Sequence, residues 1–129
     1  MEDRADHRQK LGVLGENIAC RYLEGMGHTI LERNWRCRHL EIDIISIDQE
    51  GIHFVEVKAR QRSMQAPPQD NVNRKKQGNI VKAALGYLNT VGNLPRKDVE
   101  CFFDVVAITL EDGDAQVEWI PQAYIPIYV

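Results

Sequence analysis

Three residues of types used in phosphodiester chemistry lie close together along this chain. Asp43 lies in an isoleucine-rich segment, and Glu56 and Lys58 lie in the next apolar segment. Carboxylates are common protein ligands for Mg²⁺, and a lysine can stabilise negative charge that develops on a phosphate oxygen. These residue types indicate metal-dependent hydrolysis of a phosphate ester, provided that the fold brings them together.

The turn between the two apolar segments predicts how they pair. Strands are expected over Leu40–Ile47 and Ile52–Ala59, which are rich in Ile and Val, with a polar turn over residues 48–51. A hairpin centred on this turn places Asp43 directly opposite Glu56 on the same face. A shift of one residue would move Asp43 to the other face, so the predicted site depends on this register.

Either a shared proton, which raises the pKa of one acid, or a bound cation would relieve the repulsion between two facing carboxylates. Mg²⁺, for which Mn²⁺ can substitute, takes oxygen ligands, and the backbone carbonyl of Val57 is a third candidate beside the two acids. Lys58 shares a face with Glu56 and could contact a scissile phosphate or hold the attacking water. Glu41 is expected opposite Lys58, either supporting the metal ligands from outside or pairing with Lys58. An isolated Glu-x-Lys in a strand is more often a surface salt bridge.

Two helices supply further candidates. Helical spacing over Leu11–Met26 places Glu16 on a face with small and apolar residues, where a carboxylate is costly unless it is paired. Glu16 is therefore expected to join the same cluster. A second helix over Asn73–Thr90, with Asn73 as its N-cap, places Gln77 on an otherwise apolar stripe and predicts that it points inward.

The charge of the chain is uneven. A net charge of −3 and a pI near 5.8 argue against a uniformly basic nucleic-acid coat. Residues 58–82 nevertheless contain seven basic side chains and one acid, whereas residues 98–118 contain seven acids and no base. The basic stretch and one neighbouring amide are expected to contact nucleic-acid phosphates without reading sequence. These residues are Arg60, Arg62, Arg74, Lys75, Lys76 and Gln77.

The remaining pattern predicts a single α/β domain. The length of 129 residues suits one domain over residues 11–129, after a flexible tail over residues 1–10. Loops are expected over residues 63–70 and 92–97. Further strands are predicted over Thr29–Arg36, Cys101–Leu110 and Ala115–Ile120. The predicted order is α-β-β-β-α-β-β around a mixed central sheet.

Hydropathy and cysteine content indicate where the protein resides, and two single residues have expected structural roles. No apolar run approaches membrane-spanning length and the first residues lack an apolar signal region, so no membrane association is expected. Three cysteines without a CxxC pair predict a reducing, cytoplasmic setting. Asp104 is expected to be a paired structural acid, and Trp35 is expected to pack in the core.

The Asp and Glu-x-Lys pattern resembles the PD-(D/E)XK nuclease superfamily. The matching residues are Ile42-Asp43 on one strand and Glu56-Val57-Lys58 on the next. A glutamate on the first helix, Glu16, is similar to that of archaeal Holliday junction resolvases. The resemblance implies a restriction-endonuclease-like fold, Mg²⁺ held by these acids, and hydrolysis that leaves a 5′-phosphate and a 3′-hydroxyl. It also implies a structure-selective DNA partner and, as in resolvases, a homodimer.

A second resemblance, to the YraN-like family of short bacterial proteins, covers nearly the whole chain. Where family members usually have glycine before the Glu-Ile-Asp run, this chain has Leu40, which is expected to crowd the approach to the site. The matching segments are Gly15-Glu16-x-Ile18-Ala19 with Tyr22-Leu23, Asn34-Trp35-Arg36, Glu41-Ile42-Asp43-Ile44-Ile45, Phe54-Val55-Glu56-Val57-Lys58-Ala59-Arg60 and Phe103-Asp104-Val105-Val106.

The residues leave three functions open. The first is a metal-dependent endonuclease that acts on DNA, on branched or damaged structure. The second is a noncatalytic nucleic-acid-binding module on a nuclease scaffold. The third is a protein-interaction domain whose acids are structural. The third predicts no Mg²⁺ or Mn²⁺ affinity and a gain in thermal stability in Asp43→Asn.

Overall fold

The computed structural model describes residues 4–62, 74–90 and 100–123. The expected order α-β-β-β-α-β-β on a mixed sheet is confirmed, and it is consistent with a restriction-endonuclease-like fold. The elements are α1 (Arg4–Gly25), β1 (Thr29–Cys37), β2 (Leu40–Ile47), β3 (Ile52–Gln61), α2 (Arg74–Thr90), β4 (Cys101–Glu111) and β5 (Asp114–Ile120). The expected segments 63–70 and 92–97, and the N-cap Asn73, lie outside the described residues.

The five strands form one sheet in chain order, β1-β2-β3-β4-β5. Neighbouring strands are antiparallel except for β3 and β4, which run parallel from Ile52↔Cys101 to Gln61↔Leu110. The predicted hairpin register is confirmed over four pairs, from Ile47↔Ile52 to Ile44↔Val55. The turn predicted at residues 48–51 is therefore correct, and it sets the register of the β2–β3 hairpin, which carries Asp43, Glu56 and His53.

One helix packs on each face of the sheet, which gives three layers. On the α2 side, Ile80, Val81 and Tyr87 pack with Ile45 and Phe54 in one buried cluster. On the other side, residues of α1 pack with buried residues of β2, β3 and β4 in a second cluster, including Ala19, Leu23, Ile44, Val55 and Val106. Alternate residues of the central strands therefore enter opposite cores, as the period of two requires.

Trp35 packs in the core, as expected. It lies against the α2-side cluster, and its ring meets Tyr87 edge to face with centroids 5.3 Å apart. Leu40, the residue expected to crowd the site, packs against the same cluster and pairs with Cys37 where β1 and β2 meet.

The first helix begins at Arg4, seven residues before the start that its apolar spacing predicted. The polar first turns are tied to the sheet, since the side chain of His7 hydrogen-bonds Gln61 Oε1 at 3.0 Å. Residues 1–3 of the expected flexible tail lie outside the described residues. No helix in the described ranges has the length and apolar character to span a membrane.

Gly15 sets the distance between α1 and the sheet. A Cβ at this position would lie 2.6 Å from Ala59 Cβ of β3, closer than two such atoms can approach. The absent side chain lets the helix pack directly on β3. The next residue, Glu16, is thereby held at the edge of the sheet.

The face alternation of β2 breaks at one level of the sheet. Ile42 packs on the α2 side, whereas Ile44, two residues later, packs on the α1 side. In a regular strand both would share a face. Across from this point, Asn34 of β1 has a positive φ of 52°. Asp43 lies between Ile42 and Ile44, at the point where the alternation changes.

Candidate functional site

Asp43 lies one residue beyond the last paired rung of the β2–β3 hairpin. The ladder ends at Ile44↔Val55, and the Val57 backbone N–H donates a hydrogen bond to Asp43 Oδ2 at 2.8 Å. Burial raises the pKa of Asp43 to about 6, and the negative charges of Glu56 and Glu16 add to that effect. The Val57 N–H and the Lys76 ammonium act in the opposite direction.

Glu56 is a buried carboxylate that is only half satisfied. Its Oε1 forms an ion pair with Lys76 Nζ of α2. Its Oε2 is buried and has no hydrogen-bond partner within the described part of the chain. A buried carboxylate oxygen without a partner is costly, so this position favours an additional cation or proton donor.

Glu16 approaches these acids from α1. Its charge raises the pKa of Asp43, which places it electrostatically near the site. Its Oε1 accepts a hydrogen bond from Asn34 Nδ2 at 2.9 Å and lies 3.7 Å from Arg33 Nη2. The structure therefore brings Glu16 to the edge of the cluster, where β1 already engages one of its oxygens. We call Asp43, Glu56, Glu16 and Lys76 the acidic cluster.

The remaining predicted site residues of the hairpin have different surroundings. Lys58 follows Glu56 by two residues on β3 and is partly exposed, at the next position on the same face. Val57 uses its N–H on Asp43, and its side chain packs on the α1-side cluster. Glu41 forms an exposed ion pair with Arg36 at 3.8 Å, whereas pairing with Lys58 was one of the two roles expected for it. Its other expected role, supporting the metal ligands, stays a prediction. The break in alternation at Asp43 accounts for the different partner, because the predicted common face assumed a regular strand.

The predicted nucleic-acid contacts differ in exposure and in the ion pairs that they form. Arg60 and Lys75 have exposed side chains, and Gln77 is half-buried on α2. Arg62 is exposed and pairs with Glu111 at 2.9 Å. Lys76 is held by Glu56 as described above. Arg74 begins α2, and its side chain lies outside the described residues.

A second polar cluster lies at the other end of the same hairpin. The His53 Nδ1–H donates to Asp104 Oδ2 at 2.6 Å, and its Nε2–H donates to Asp48 Oδ1 at 2.9 Å. His28 Nδ1 hydrogen-bonds Ser46 Oγ at 2.9 Å, and His28 Nε2 lies 3.4 Å from Asp48 Oδ2. We call these five residues the His–Asp cluster. Asp104 is thus a paired structural acid, which confirms its prediction.

The electrostatics of the two histidines differ. Burial lowers the pKa of His53, but its hydrogen bonds to Asp104 and Asp48 outweigh burial and raise that pKa overall. Burial lowers the pKa of His28, and the neighbouring positive His53 lowers it further. Burial alone would raise the pKa of Asp48, but hydrogen bonds from His53 and two backbone N–H groups hold it low. Both ring nitrogens of His53 face carboxylates, which favours its protonated form, whereas burial favours the neutral form of His28.

This cluster was missed by sequence reasoning. Three of its residues, His28, Asp48 and His53, place ligand atoms within 4.8 Å of one another, which is compatible with metal binding. The predicted hairpin register already opposed Ser46 to His53, and that pair was a usable signal. His28 precedes β1, and Asp104 lies on β4, so the full set is assembled only by the tertiary fold.

Comparisons with known proteins identify one family. Residues 15–108 match the model of the uncharacterised protein family UPF0102. A UPF0102 protein of Geobacter sulfurreducens is 44% identical over 119 residues, covering 92% of this chain and 91% of that protein. A relative from Bacteroides thetaiotaomicron is 36% identical over 122 residues, covering 95% and 97%.

One solved structure is weakly similar in shape. It is the SPO1766 protein of unknown function from Silicibacter pomeroyi, with a TM-score of 0.32 and 15% identity. The match covers 79% of this chain and 65% of that protein. A similarity at this level carries no functional argument.

Proposed function

Since this chain belongs to the UPF0102 family, the YraN-like short bacterial proteins, we propose that its acidic cluster is the active site of a Mg²⁺-dependent endonuclease acting on DNA. Asp43 and Glu56 are the proposed metal ligands, with the Val57 carbonyl and Glu16 completing the site. Mn²⁺ is expected to substitute for Mg²⁺. Membership of the PD-(D/E)XK superfamily is part of this proposal.

The observation that carries the proposal is the half-satisfied, buried Glu56 carboxylate beside a partly buried Asp43. Glu56 Oε2 is buried and has no partner among the described side chains and backbone. Asp43 is desolvated enough for its pKa to rise to about 6. A divalent cation would satisfy both carboxylates at once, and the donor set contains only oxygen, which suits Mg²⁺.

Each side chain then has a defined task. A bound Mg²⁺ would neutralise the scissile phosphate and lower the pKa of a water ligand. The Val57 N–H fixes the orientation of Asp43. Lys58 contacts the phosphate and stabilises its developing negative charge. Lys76 neutralises Glu56 through their ion pair, and its place in the first turn of α2 makes it a proposed contact for a DNA phosphate.

The exposed basic residues supply DNA affinity. Arg60 and Lys75 are exposed, and Lys75 is adjacent to Lys76 at the start of α2. Arg62, Arg74 and Gln77 extend the proposed contact surface. Phosphate contacts of this kind position a duplex without reading its sequence. Recognition is therefore proposed to be structure-selective, on branched or damaged DNA, with a homodimer as the acting form.

The decisive experiment separates metal binding from cleavage. Calorimetric titration of Mg²⁺ and Mn²⁺ should show binding in the wild type and in Lys58→Met, and none in Asp43→Ala. The same proteins are then assayed on linear, nicked and four-way-junction DNA. Cleavage should be lost in both variants, by at least about 100-fold, the usual cost of removing one charge-stabilising group.

Two outcomes would contradict the proposal. Cleavage that persists in Asp43→Ala would place the chemistry elsewhere. Metal binding without cleavage of any substrate, together with salt-dependent DNA affinity, would leave a binding module on a nuclease scaffold. Glu41→Gln serves as the matched control, because it removes a carboxylate from β2 that pairs only with the exposed Arg36 in the described structure.

A further inference from the structure

The His–Asp cluster has the arrangement of a transition-metal site. His28 and His53 both direct Nε2 toward the carboxylate of Asp48, at 3.4 Å and 2.9 Å. Both histidines are nearly fully buried, with 1% and 2% of their side chains exposed, whereas Asp48 is 20% exposed. Asp48 therefore marks the side from which an ion and a water molecule could enter.

The other nitrogen of each ring is held by a partner. His53 Nδ1–H donates to the buried Asp104, and His28 Nδ1 bonds the hydroxyl of Ser46. Metal-binding histidines almost always use their second nitrogen in this way, because the contact fixes the ring and makes it a better ligand. Asp104 itself accepts a hydrogen bond from the Gln122 backbone N–H at 2.9 Å, which holds its carboxylate in position for His53.

The spacing of the ligand atoms fits a tetrahedral ion. Zinc–nitrogen and zinc–oxygen bonds of about 2.0–2.2 Å separate tetrahedral ligand atoms by about 3.3 Å. His28 Nε2 lies 3.4 Å from Asp48 Oδ2 and His53 Nε2 lies 2.9 Å from Asp48 Oδ1, so each imidazole is near that spacing from one oxygen of the carboxylate. All three ligand atoms lie within 4.8 Å of one another, so rotations of the side chains are enough to enclose an ion.

We propose that His28 Nε2, His53 Nε2 and the Asp48 carboxylate form a Zn²⁺ site, with a water molecule as the fourth ligand. Two imidazoles and one carboxylate favour zinc over Mg²⁺, which prefers oxygen alone. The site is distinct from the acidic cluster in both donor type and place on the hairpin. It does not depend on the proposed nuclease activity.

Binding would tie together three separate parts of the chain. His28 lies between α1 and β1, Asp48 opens the β2–β3 turn, and His53 is the second residue of β3. The proton now carried by His53 Nε2 toward Asp48 would leave to solvent as the ion takes its place. The Nδ1–H would remain on Asp104. The ion thus replaces one hydrogen bond and adds His28 to the same centre.

The test uses the full chain, stripped of metal and titrated with Co²⁺ and then with Zn²⁺. Tetrahedral Co²⁺ gives visible absorption bands, and one equivalent of Zn²⁺ should abolish them. Zn²⁺ should also raise the melting temperature. Silent spectra and an unchanged melting temperature would overturn the proposal.

Two conservative variants locate the ion. His28→Asn can keep the bond to Ser46 but loses the Nε2 ligand, and Asp48→Asn can keep the backbone bonds of the turn. Loss of a supporting partner alone typically weakens metal binding about 10- to 100-fold, so each ligand variant should weaken Zn²⁺ binding by at least about 100-fold. Asp43→Asn is the matched control and should bind Zn²⁺ like the wild type. The reverse pattern would assign the ion to the acidic cluster and overturn the proposal.

X-ray absorption of the wild-type zinc complex gives a result that does not depend on any variant folding. Two imidazole ligands and oxygen scattering are expected. The chain also contains three cysteines, Cys20, Cys37 and Cys101, whose sulfur atoms are alternative zinc ligands. Sulfur in the first coordination sphere would show that cysteine captures the ion and would contradict the site.

Discussion

The two ends of the β2–β3 hairpin handle buried charge in opposite ways. At the turn end, His53 places an imidazolium between two carboxylates, and backbone N–H groups complete the bonding of Asp48 and Asp104. At the open end, Asp43 and Glu56 lie near each other with one ammonium between them and one carboxylate oxygen unsatisfied. Both clusters are built on the same two strands.

The two clusters therefore differ in how completely their buried polar atoms are hydrogen-bonded. A satisfied buried network rigidifies the structure around it, whereas an unsatisfied polar atom costs free energy. In the His–Asp cluster both nitrogens of His53 and Nδ1 of His28 have hydrogen-bond partners. In the acidic cluster Glu56 pairs with Lys76 through one oxygen, and its other oxygen has no partner within the described residues.

The largest effect on stability is expected from removing Asp104 from the His–Asp cluster. In Asp104→Ala the His53 ring loses its fully buried carboxylate partner and keeps the partly exposed Asp48, so the free energy of unfolding should fall by about 3–5 kcal/mol. Urea denaturation at pH 7 measures the change. Glu111→Ala on the same strand is the control, because its exposed pair with Arg62 should be worth less than about 1 kcal/mol. Equal losses in the two variants would mean that the His–Asp cluster gives no special support.

Neutralising Asp43 should instead increase the free energy of unfolding. Its pKa is about 6 in the folded protein against an ordinary 3.8, so the folded state holds the proton more tightly. The free energy of unfolding should therefore fall as pH rises from about 4 to 6, by about 3 kcal/mol in all at about 1.4 kcal/mol per pKa unit. In metal-free buffer, Asp43→Asn should be more stable than the wild type at pH 8, and the two should converge near pH 4.

Magnesium then distinguishes the proposed functions. A nuclease site predicts that saturating Mg²⁺ stabilises the wild type and not Asp43→Asn. A purely structural role for the acids predicts the same gain in Asp43→Asn with no response to the ion. Thermal denaturation at pH 8 with and without Mg²⁺ measures both. A variant less stable than the metal-free wild type would show that ionised Asp43 stabilises the fold.

A smaller effect should follow from moving α1. Gly15→Ala forces a contact with Ala59 and should cost about 1–3 kcal/mol of unfolding free energy, as overpacking does. Glu16 should shift with the helix and weaken Mg²⁺ binding. Gly12→Ala meets nothing within 4 Å and should stabilise the helix by up to about 1 kcal/mol. Chemical denaturation and calorimetry compare the pair, and a neutral Gly15→Ala would contradict the close packing.

The smallest expected change is at Glu41. Its pair with Arg36 joins two exposed side chains, so Glu41→Gln should change the free energy of unfolding by less than about 0.5 kcal/mol. Metal affinity should also stay within experimental error. A clear loss of metal affinity would show that Glu41 supports the metal ligands and belongs to the acidic cluster.

The hairpin shows why part of the site could be predicted. A four-residue polar turn between two apolar segments determines one register, which the structure follows from Ile47↔Ile52 to Ile44↔Val55, one residue short of Asp43 and Glu56. Local information was sufficient there. It was not sufficient for Glu41, because the break in alternation involves the positive φ of Asn34 on a different strand.

The His–Asp cluster was beyond local reasoning for a related reason. His28, His53 and Asp104 lie on three different segments, and no spacing between them follows a helical or strand period. Only the parallel alignment of β3 with β4 brings Asp104 to His53. Lys76 likewise reaches Glu56 from a helix whose position over the sheet is a tertiary property. Long-range pairing is the information that a single sequence does not display.

The parallel β3–β4 ladder has a consequence for how the molecule acquires its sites during folding. Ile52 pairs with Cys101 and Gln61 with Leu110, so every rung of this ladder joins residues 49 positions apart. Closing so long a loop is slow compared with forming the neighbouring hairpins. The β1–β2–β3 meander is therefore expected to form first, carrying Asp43, Glu56 and His53 in register but incomplete. Asp104 and Lys76 arrive only with the later segment, so both polar clusters should mature in the last, cooperative step.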